Sequence, residues 1–265
     1  MPRRLTILVA VLALGVGACS TTPALSAKDI ITKSLAAMEG VKTAHVQADV
    51  SGKVSVNLTG GGSGSQLDIG GTTASADIDV PGKKTKLTFA VPALLGTSGE
   101  MIVADNAIYF KLGGLFGNGD KYTKLPATTL GSTGGTVTDP TKTLADVMAG
   151  LDKLATPPST GADEKCGDAD CYHVIVKLTG EDLNRLASPS PLASPTTGNI
   201  NLDLFVRKND FRVGRLVVAA SDATTGNVNL TTAITYDMPV AIQAPSPDQV
   251  GEGGLPFPIP SLTAP

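Results

Sequence analysis

The sequence predicts an α+β fold dominated by one large antiparallel sheet. Three observations lead there. Long stretches alternate apolar and polar residues with a period of two, the mark of strands that bury one face and wet the other. Only a few segments carry apolar residues at helical spacing. Short Gly, Pro, Asn and Asp clusters punctuate the strands, and none is long enough to part the chain into two domains.

Ser26 is placed to cap a helix, with Asp29 in its first turn. Ile30, Ile31, Ser34, Leu35 and Met38 then recur at helical spacing up to Gly40. Beyond it Ala44, Val46, Ala48, Val50, Val54, Val56 and Leu58 alternate with polar residues, which predicts one long half-buried strand. A glycine-rich turn at Gly60–Gly64 leads to a second alternating run with Ala74, Ala76, Ile78 and Val80, closed by a Pro81-Gly82 turn. Leu87, Phe89 and Val91 mark a third strand. Met101–Val103 and Ile108–Phe110 flank Asp105-Asn106, a two-residue hairpin signal.

A Gly/Thr-rich loop follows from Thr128 to Thr138. Asp139-Pro140 then opens a second helical stripe of Leu144, Val147, Met148, Leu151 and Leu154. Glu164–Leu178 reads as a hairpin with Tyr172, Val174, Val176 and Leu178 on one face, and Thr179–Asp182 starts a short helix before the Ser/Pro-rich stretch from Ser188 to Thr197. Strands at Ile200–Arg207, Arg212–Ala220 and Val228–Tyr236 complete a set of about nine. From Pro245 the chain is expected to run extended and loosely packed, as a proline-rich tail over residues 244–265.

The N-terminus reads as an export signal. Arg3 and Arg4 precede a dozen uncharged, mostly aliphatic residues from Leu5 to Val16, too few for a bilayer span of about 20. The run ends in Val16-Gly17-Ala18-Cys19, which resembles the lipobox of bacterial lipoproteins. That resemblance implies a signal peptide over residues 1–18, lipidation of Cys19 and a short tether over residues 19–25, followed by a folded domain over residues 26–243. The protein would then be exported and lipid-anchored at the outer face of the plasma membrane. Losing residues 1–18 removes Arg3 and Arg4 from 21 basic residues, leaving 19 against 24 acidic ones. Such a chain has no basic excess to bind nucleic acid. With aromatics at only 4% and no tryptophan, the core must be built from small aliphatics.

Cys166 and Cys171 enclose Gly-Asp-Ala-Asp. Outside the cytoplasm they are expected to form a disulfide across a tight turn. The alternative is a metal site using both thiolates with Asp168, Asp170 or His173, which a second ligand cluster would be needed to support. The two histidines, His45 and His173, both fall at polar positions of alternating strands. No nucleophile elbow, phosphate loop, paired metal histidines or catalytic carboxylate pair is present, so neither enzymatic activity, a metal nor a cofactor is expected. What remains is an apolar sheet face that must be covered by helices, a partner or a ligand. Periodicity does not choose between a filled core and a cavity.

Five segments resemble the LppX/LprA/LprF/LprG lipoprotein family of actinobacteria. Behind the lipobox stand Ala27-Lys-Asp-Ile-Ile-Thr-Lys-Ser-Leu35 and Val41-Lys-Thr-Ala-His-Val46 at the head of the long strand. Val103-Ala-Asp-Asn-Ala-Ile-Tyr109 resembles that family's strand-turn-strand, with Asn106 where a glycine is common. Asp139-Pro-Thr-Lys-Thr-Leu-Ala145 and Tyr172-His-Val174 resemble its central helix entry and the following strand. The cysteine pair departs from the pattern. The resemblance implies a LolA-like half-barrel, a single curved antiparallel sheet with helices over a hydrophobic cavity, that carries acylated lipids or lipoglycans across the envelope. Under it, Val46, Ala48, Val50, Val54, Val56, Ala74, Ala76, Ile78, Val80, Leu87 and Phe89 are expected in the cavity wall, covered by Leu35, Met38, Leu151 and Leu154. The expected partners are the lipid ligand, the plasma membrane and an envelope transport protein, with the protein itself a monomer. The same sheet would equally serve a lipid or partner sensor that transports nothing, or a structural lipoprotein with a filled core.

Overall fold

A computed structural model of the chain describes residues 24–56, 65–114, 120–126, 150, 154–187, 198–222 and 226–251. The expected signal peptide, Cys19, the Gly60–Gly64 turn, the stripe from Leu144 to Leu151 and the Ser/Pro-rich stretch from Ser188 to Thr197 lie outside them. Helix α1 (Ala27–Glu39) opens the described fold. It is followed by β1 (Thr43–Val56), β2 (Ser65–Asp68), β3 (Thr72–Asp79), β4 (Lys84–Val91), β5 (Thr97–Ala104), β6 (Ala107–Gly113) and β7 (Tyr122–Pro126). Next come β8 (Ser159–Thr160), β9 (Glu164–Cys166), β10 (Ala169–Leu178) and helix α2 (Gly180–Ala187). The last strands are β11 (Asn199–Arg207), β12 (Val213–Asp222), β13 (Gly226–Tyr236) and β14 (Val250–Gly251).

The fourteen strands form one open, curved sheet in the order β14-β7-β6-β5-β4-β3-β1-β13-β12-β11-β10-β8, with β2 on β1 and β9 on β10. Every pairing is antiparallel except β14 on β7. Five strands beyond the expected nine are short edge or continuation pieces. One of them, β2, pairs with Lys53–Val56 while β3 pairs with Thr43–Val50, so the two run in succession along one edge of β1. Across the other edge, β1 and β13 approach closely at Gly52 and Gly226. Both have positive φ, and a Cβ on either would lie 2.1 Å from a backbone oxygen of the opposite strand.

The local signals explain the element ends. Ser26 and Asp29 form a capping box on α1, each side chain accepting from the other's backbone N–H. Asp105 and Asn106 both have positive φ, as a two-residue type I′ hairpin requires, and join Ala104 to Ala107. The Cys166–Cys171 disulfide closes the β9–β10 hairpin with a Cα–Cα distance of 6.0 Å. Cys171 is fully buried beside Phe205.

The main core lies under α1. Ala27, Ile30 and Ile31 pack against Val174, Val176, Leu178, Leu204, Val206 and Val213, with Leu35, Leu154 and Leu183 at its margin. Asp182 of α2 is completely buried there. Its carboxylate accepts from the Thr179 N–H and hydroxyl and from the Ala155 N–H, tying the helix start to a neighbouring segment.

Of the tail expected over residues 244–265, Ala244 and Val250 are packed with the segment before them, and residues 252–265 lie outside the described residues. Val240, Ile242, Ala244 and Val250 pack onto Ile102, Tyr109 and Tyr122 on the outer face, Pro247–Gln249 makes a 3-10 turn, and Val250–Gly251 joins the sheet edge. The apolar alternation of Val240, Ile242 and Ala244 explains this, since it gives the segment a side to bury.

Replacing Asp182 by Ala is expected to cost about 3 kcal/mol, because the Thr179 and Ala155 N–H groups lose their buried acceptor; urea unfolding measures it. Replacing both Cys166 and Cys171 by Ser is expected to cost about 2 kcal/mol, set by the short loop, and to leave the domain folded. Loss of the near-native circular dichroism in that double variant would show that the bond holds more than its hairpin.

Candidate functional site

The strand registers bring one residue from each strand into rows across the concave face. One row runs Phe110, Met101, Leu87, Ala76, Val46, Ile234. The next runs Leu112, Gly99, Phe89, Ala74, Ala48, Thr232, Leu216, Leu204, Val174. Neither row contains a charged residue. Its one internal hydroxyl, on Thr232, is buried and bonds the Leu216 backbone at 3.2 and 3.3 Å.

The face has two different halves. Below α1, Val174 and Val176 are completely buried and Val206 is 1% exposed. On β3 to β6, Ala74, Ala76, Leu87, Phe89, Met101 and Phe110 are only half-buried. Both described helices pack mainly on β10, and α1 reaches the β3–β6 half only where Met38 joins Ile78 in the corner at Tyr236. The side chains in its middle are also the smallest: Ala48, Ala74 and Ala76, with Gly99 beyond them. Gly99 is required by its neighbours, because a Cβ there would meet Phe89 Cζ at 2.3 Å and Leu112 Cδ2 at 3.1 Å. The Phe89 ring thus lies over the glycine and not above the alanine trough.

The expected wall residues divide accordingly. Val46, Ala48, Val50, Ala74, Ala76, Leu87 and Phe89 share the concave face. Val80 lies just beyond β3, in the turn to β4, where its N–H bonds the Lys42 carbonyl. Ile78 and Met38 pack with Val41, Ala44 and Tyr236 in a filled corner of the core. Leu35 and Leu154 belong to the core under α1. Val54 sits apart, beside Leu183, Ile200, Ala220 and Val228, around a pocket of about 260 Å³. The Val56 side chain and Leu151 lie outside the described residues. Met101, Phe110 and Leu112 were missed as continuations of the face, although the spacing of Met101 and Val103, and of Ile108, Phe110 and Leu112, repeats the same alternation.

The outer face carries the charge. His45 pairs with Asp77 at 2.6 Å and Lys86 with Glu100 at 3.5 Å. His173 bonds Asp203 at 2.7 Å, and its ring stacks on Phe205, which also meets the Arg215 guanidinium at 3.6 Å from the ring centre. Burial, with help from its 2.6 Å bond to Glu100, pushes the Tyr122 hydroxyl up to about 12. Among the described residues no group of three or more His, Cys, Asp or Glu is placed to hold a metal ion. No helix among them is long and apolar enough to cross a membrane.

No family model matches the chain, and no curated protein matches its sequence. Solved structures do match. The Mycobacterium tuberculosis lipoprotein LppX superposes with a TM-score of 0.51 at 14% identity, over 82% of this chain and 98% of that one. LprF from Mycobacterium bovis superposes with a TM-score of 0.51 at 19% identity, over 83% of this chain and 97% of that one. The chain has the LppX and LprF fold. A LolA superfamily protein from Nitrosomonas europaea overlaps with a TM-score of only 0.26, from which nothing follows. The likeness is one of architecture alone.

Gly99→Val is expected to displace the Phe89 ring and to cost about 2 kcal/mol. In a double-mutant cycle with Phe89→Ala, the two costs should fall short of adding. Strict additivity would show that the ring does not rest on Gly99.

Proposed function

We propose that the protein is a membrane-anchored, non-enzymatic envelope lipoprotein that holds acylated lipids or lipoglycans against the β3–β6 half of its concave face and carries them across the cell envelope. One observation carries this reading. A continuous face is filled under α1, yet half-buried, charge-free and lined by alanines over β3 and β1. Acyl chains need no charged anchor there. Each methylene withdrawn from water contributes about 0.8 kcal/mol, so a dozen contribute roughly 10 kcal/mol before the cost of ordering the chain. The lipobox ending in Cys19 supports export and attachment to the outer face of the plasma membrane, and the fold shared with two mycobacterial lipoproteins is in keeping with that address. We take the working unit to be a monomer that meets a transport protein only in passing.

The test uses residues 20–265, which contain every described element, produced in an actinobacterial host without the anchor. Mass spectrometry of an organic extract should find near-stoichiometric acylated lipid. Ala74→Phe or Ala48→Phe, which fill the trough, should reduce the load at least fivefold with the melting temperature nearly unchanged. A wild-type protein that is consistently empty would sink the reading. A loaded protein unable to move lipid between vesicles would be a sensor and not a carrier.

A further inference from the structure

The turn between β4 and β5 is unlike the others. Pro92-Ala-Leu-Leu-Gly96 projects Leu94 and Leu95, which are 43% and 66% exposed. They are two of the three large apolar side chains exposed among the described residues, the third being Met238 at the opposite end of the sheet. Leu95 has φ +54, a left-handed conformation that a leucine adopts unwillingly and that glycine or asparagine would fit better. The turn is nonetheless firmly built. The Leu94 N–H donates to Val91, the Gly96 N–H to Pro92, and both the N–H and hydroxyl of Thr97 donate to the Leu94 carbonyl. Pro92 also lies 3.8 Å from where a Cβ on Gly71 would stand. A rigid turn therefore holds two leucines out in solvent.

The surroundings indicate what the leucines meet. No charged residue occurs between Lys86 and Glu100, so nothing near the tip in sequence opposes entry into an apolar medium. The strand entering the tip, β4, carries Leu87, Phe89 and Val91 on the concave face, which makes the tip the outer end of one apolar strip. The tip also lies at the end of the sheet away from the start of α1. Leu25 and Ile30 sit beside Tyr172 and Phe211, at the end where Ala44 pairs with Tyr236. The tip lies beyond the opposite end, past the level of Val50 and Thr72, about 20 Å further along the strands.

We propose that Leu94 and Leu95 form a membrane-docking wedge that enters the apolar layer of a lipid surface, at the end of the molecule remote from its N-terminal tether. Docking by this wedge is hydrophobic, independent of anionic lipid and of salt, and independent of whether the concave face carries cargo. A chain anchored through its N-terminus presents the wedge away from the anchoring point.

The chain has no tryptophan, so Leu95→Trp gives residues 20–265 a single reporter. With neutral phosphatidylcholine vesicles its emission should shift to the blue and be quenched by brominated acyl chains, while Met238→Trp should show neither change. Flotation of the unlabelled protein with the same vesicles should persist at high salt and fall about tenfold in Leu95→Asn or Leu94→Asp. Leu95→Asn suits the left-handed backbone and should melt no lower than the wild type, which separates docking from folding; Leu95→Gly repeats that arm. An unshifted Leu95→Trp spectrum, equal shifts at both positions, or flotation unchanged in Leu95→Asn would each overturn the wedge. None of these outcomes bears on the lipid content of the concave face.

Discussion

Much of this structure follows from one requirement. A wide antiparallel sheet with a largely apolar, charge-free side must hide that side from water, and the described helices are enough to hide only part of it. Register enforces the requirement, because a slip of one residue anywhere would turn a strand's apolar set outward. The rows from Phe110 to Ile234 and from Leu112 to Val174 keep this register, and the one shift between β11 and β12, at Phe205/Val206, brings Val213 onto the same core as Leu216. Where α1 lies on the face, valine and isoleucine fill the space to complete burial. Where no described helix lies, the side chains shrink to alanine and glycine and stay half in contact with their surroundings.

The polar chemistry is arranged around that requirement. His45 with Asp77, and His173 with Asp203, sit on the opposite side of the sheet and bond across strands. The carboxylate of Asp182 is the exception, completely buried, and it is satisfied by backbone and hydroxyl donors at the start of α2. These groups fasten elements to one another, and none of them faces the alanine trough.

The sequence was most legible where one local rule acted alone. The period-two run from Ala44 to Val54, the Ser26 cap, the Asp105-Asn106 turn and the Val174–Leu178 face all appear where local chemistry places them. The shared face of Val46, Ala74 and Leu87 also follows, since alternation fixes sides once strands pair. Depth was not legible. Ile78 satisfies the same pattern as Ala76 but closes with Met38 of α1 on Tyr236 in a filled corner, a distinction made by which strands and helices lie overhead. The packing of Val240–Val250 was hidden because proline-rich composition suggested a loose tail, and because its partners Ile102, Tyr109 and Tyr122 are over a hundred residues away. The Gly99–Phe89 contact was likewise invisible, since it depends on two strands meeting in register.

The β14 pairing has a bearing on the shape of the whole. An open sheet ends in strands whose backbone amides and carbonyls face outward, ready to template another chain. At β7 that invitation is withdrawn by the protein itself, because Val250 and Gly251 lie parallel to Tyr122 and Thr123 and occupy part of the edge. A half-barrel can thus keep one side open while part of one rim is shielded from other chains, and the shield is made more than a hundred residues after the strand it covers. Until residues 250–251 are made, no other described strand occupies that edge of β7. The interval before that is when a nascent copy is most exposed to pairing with another.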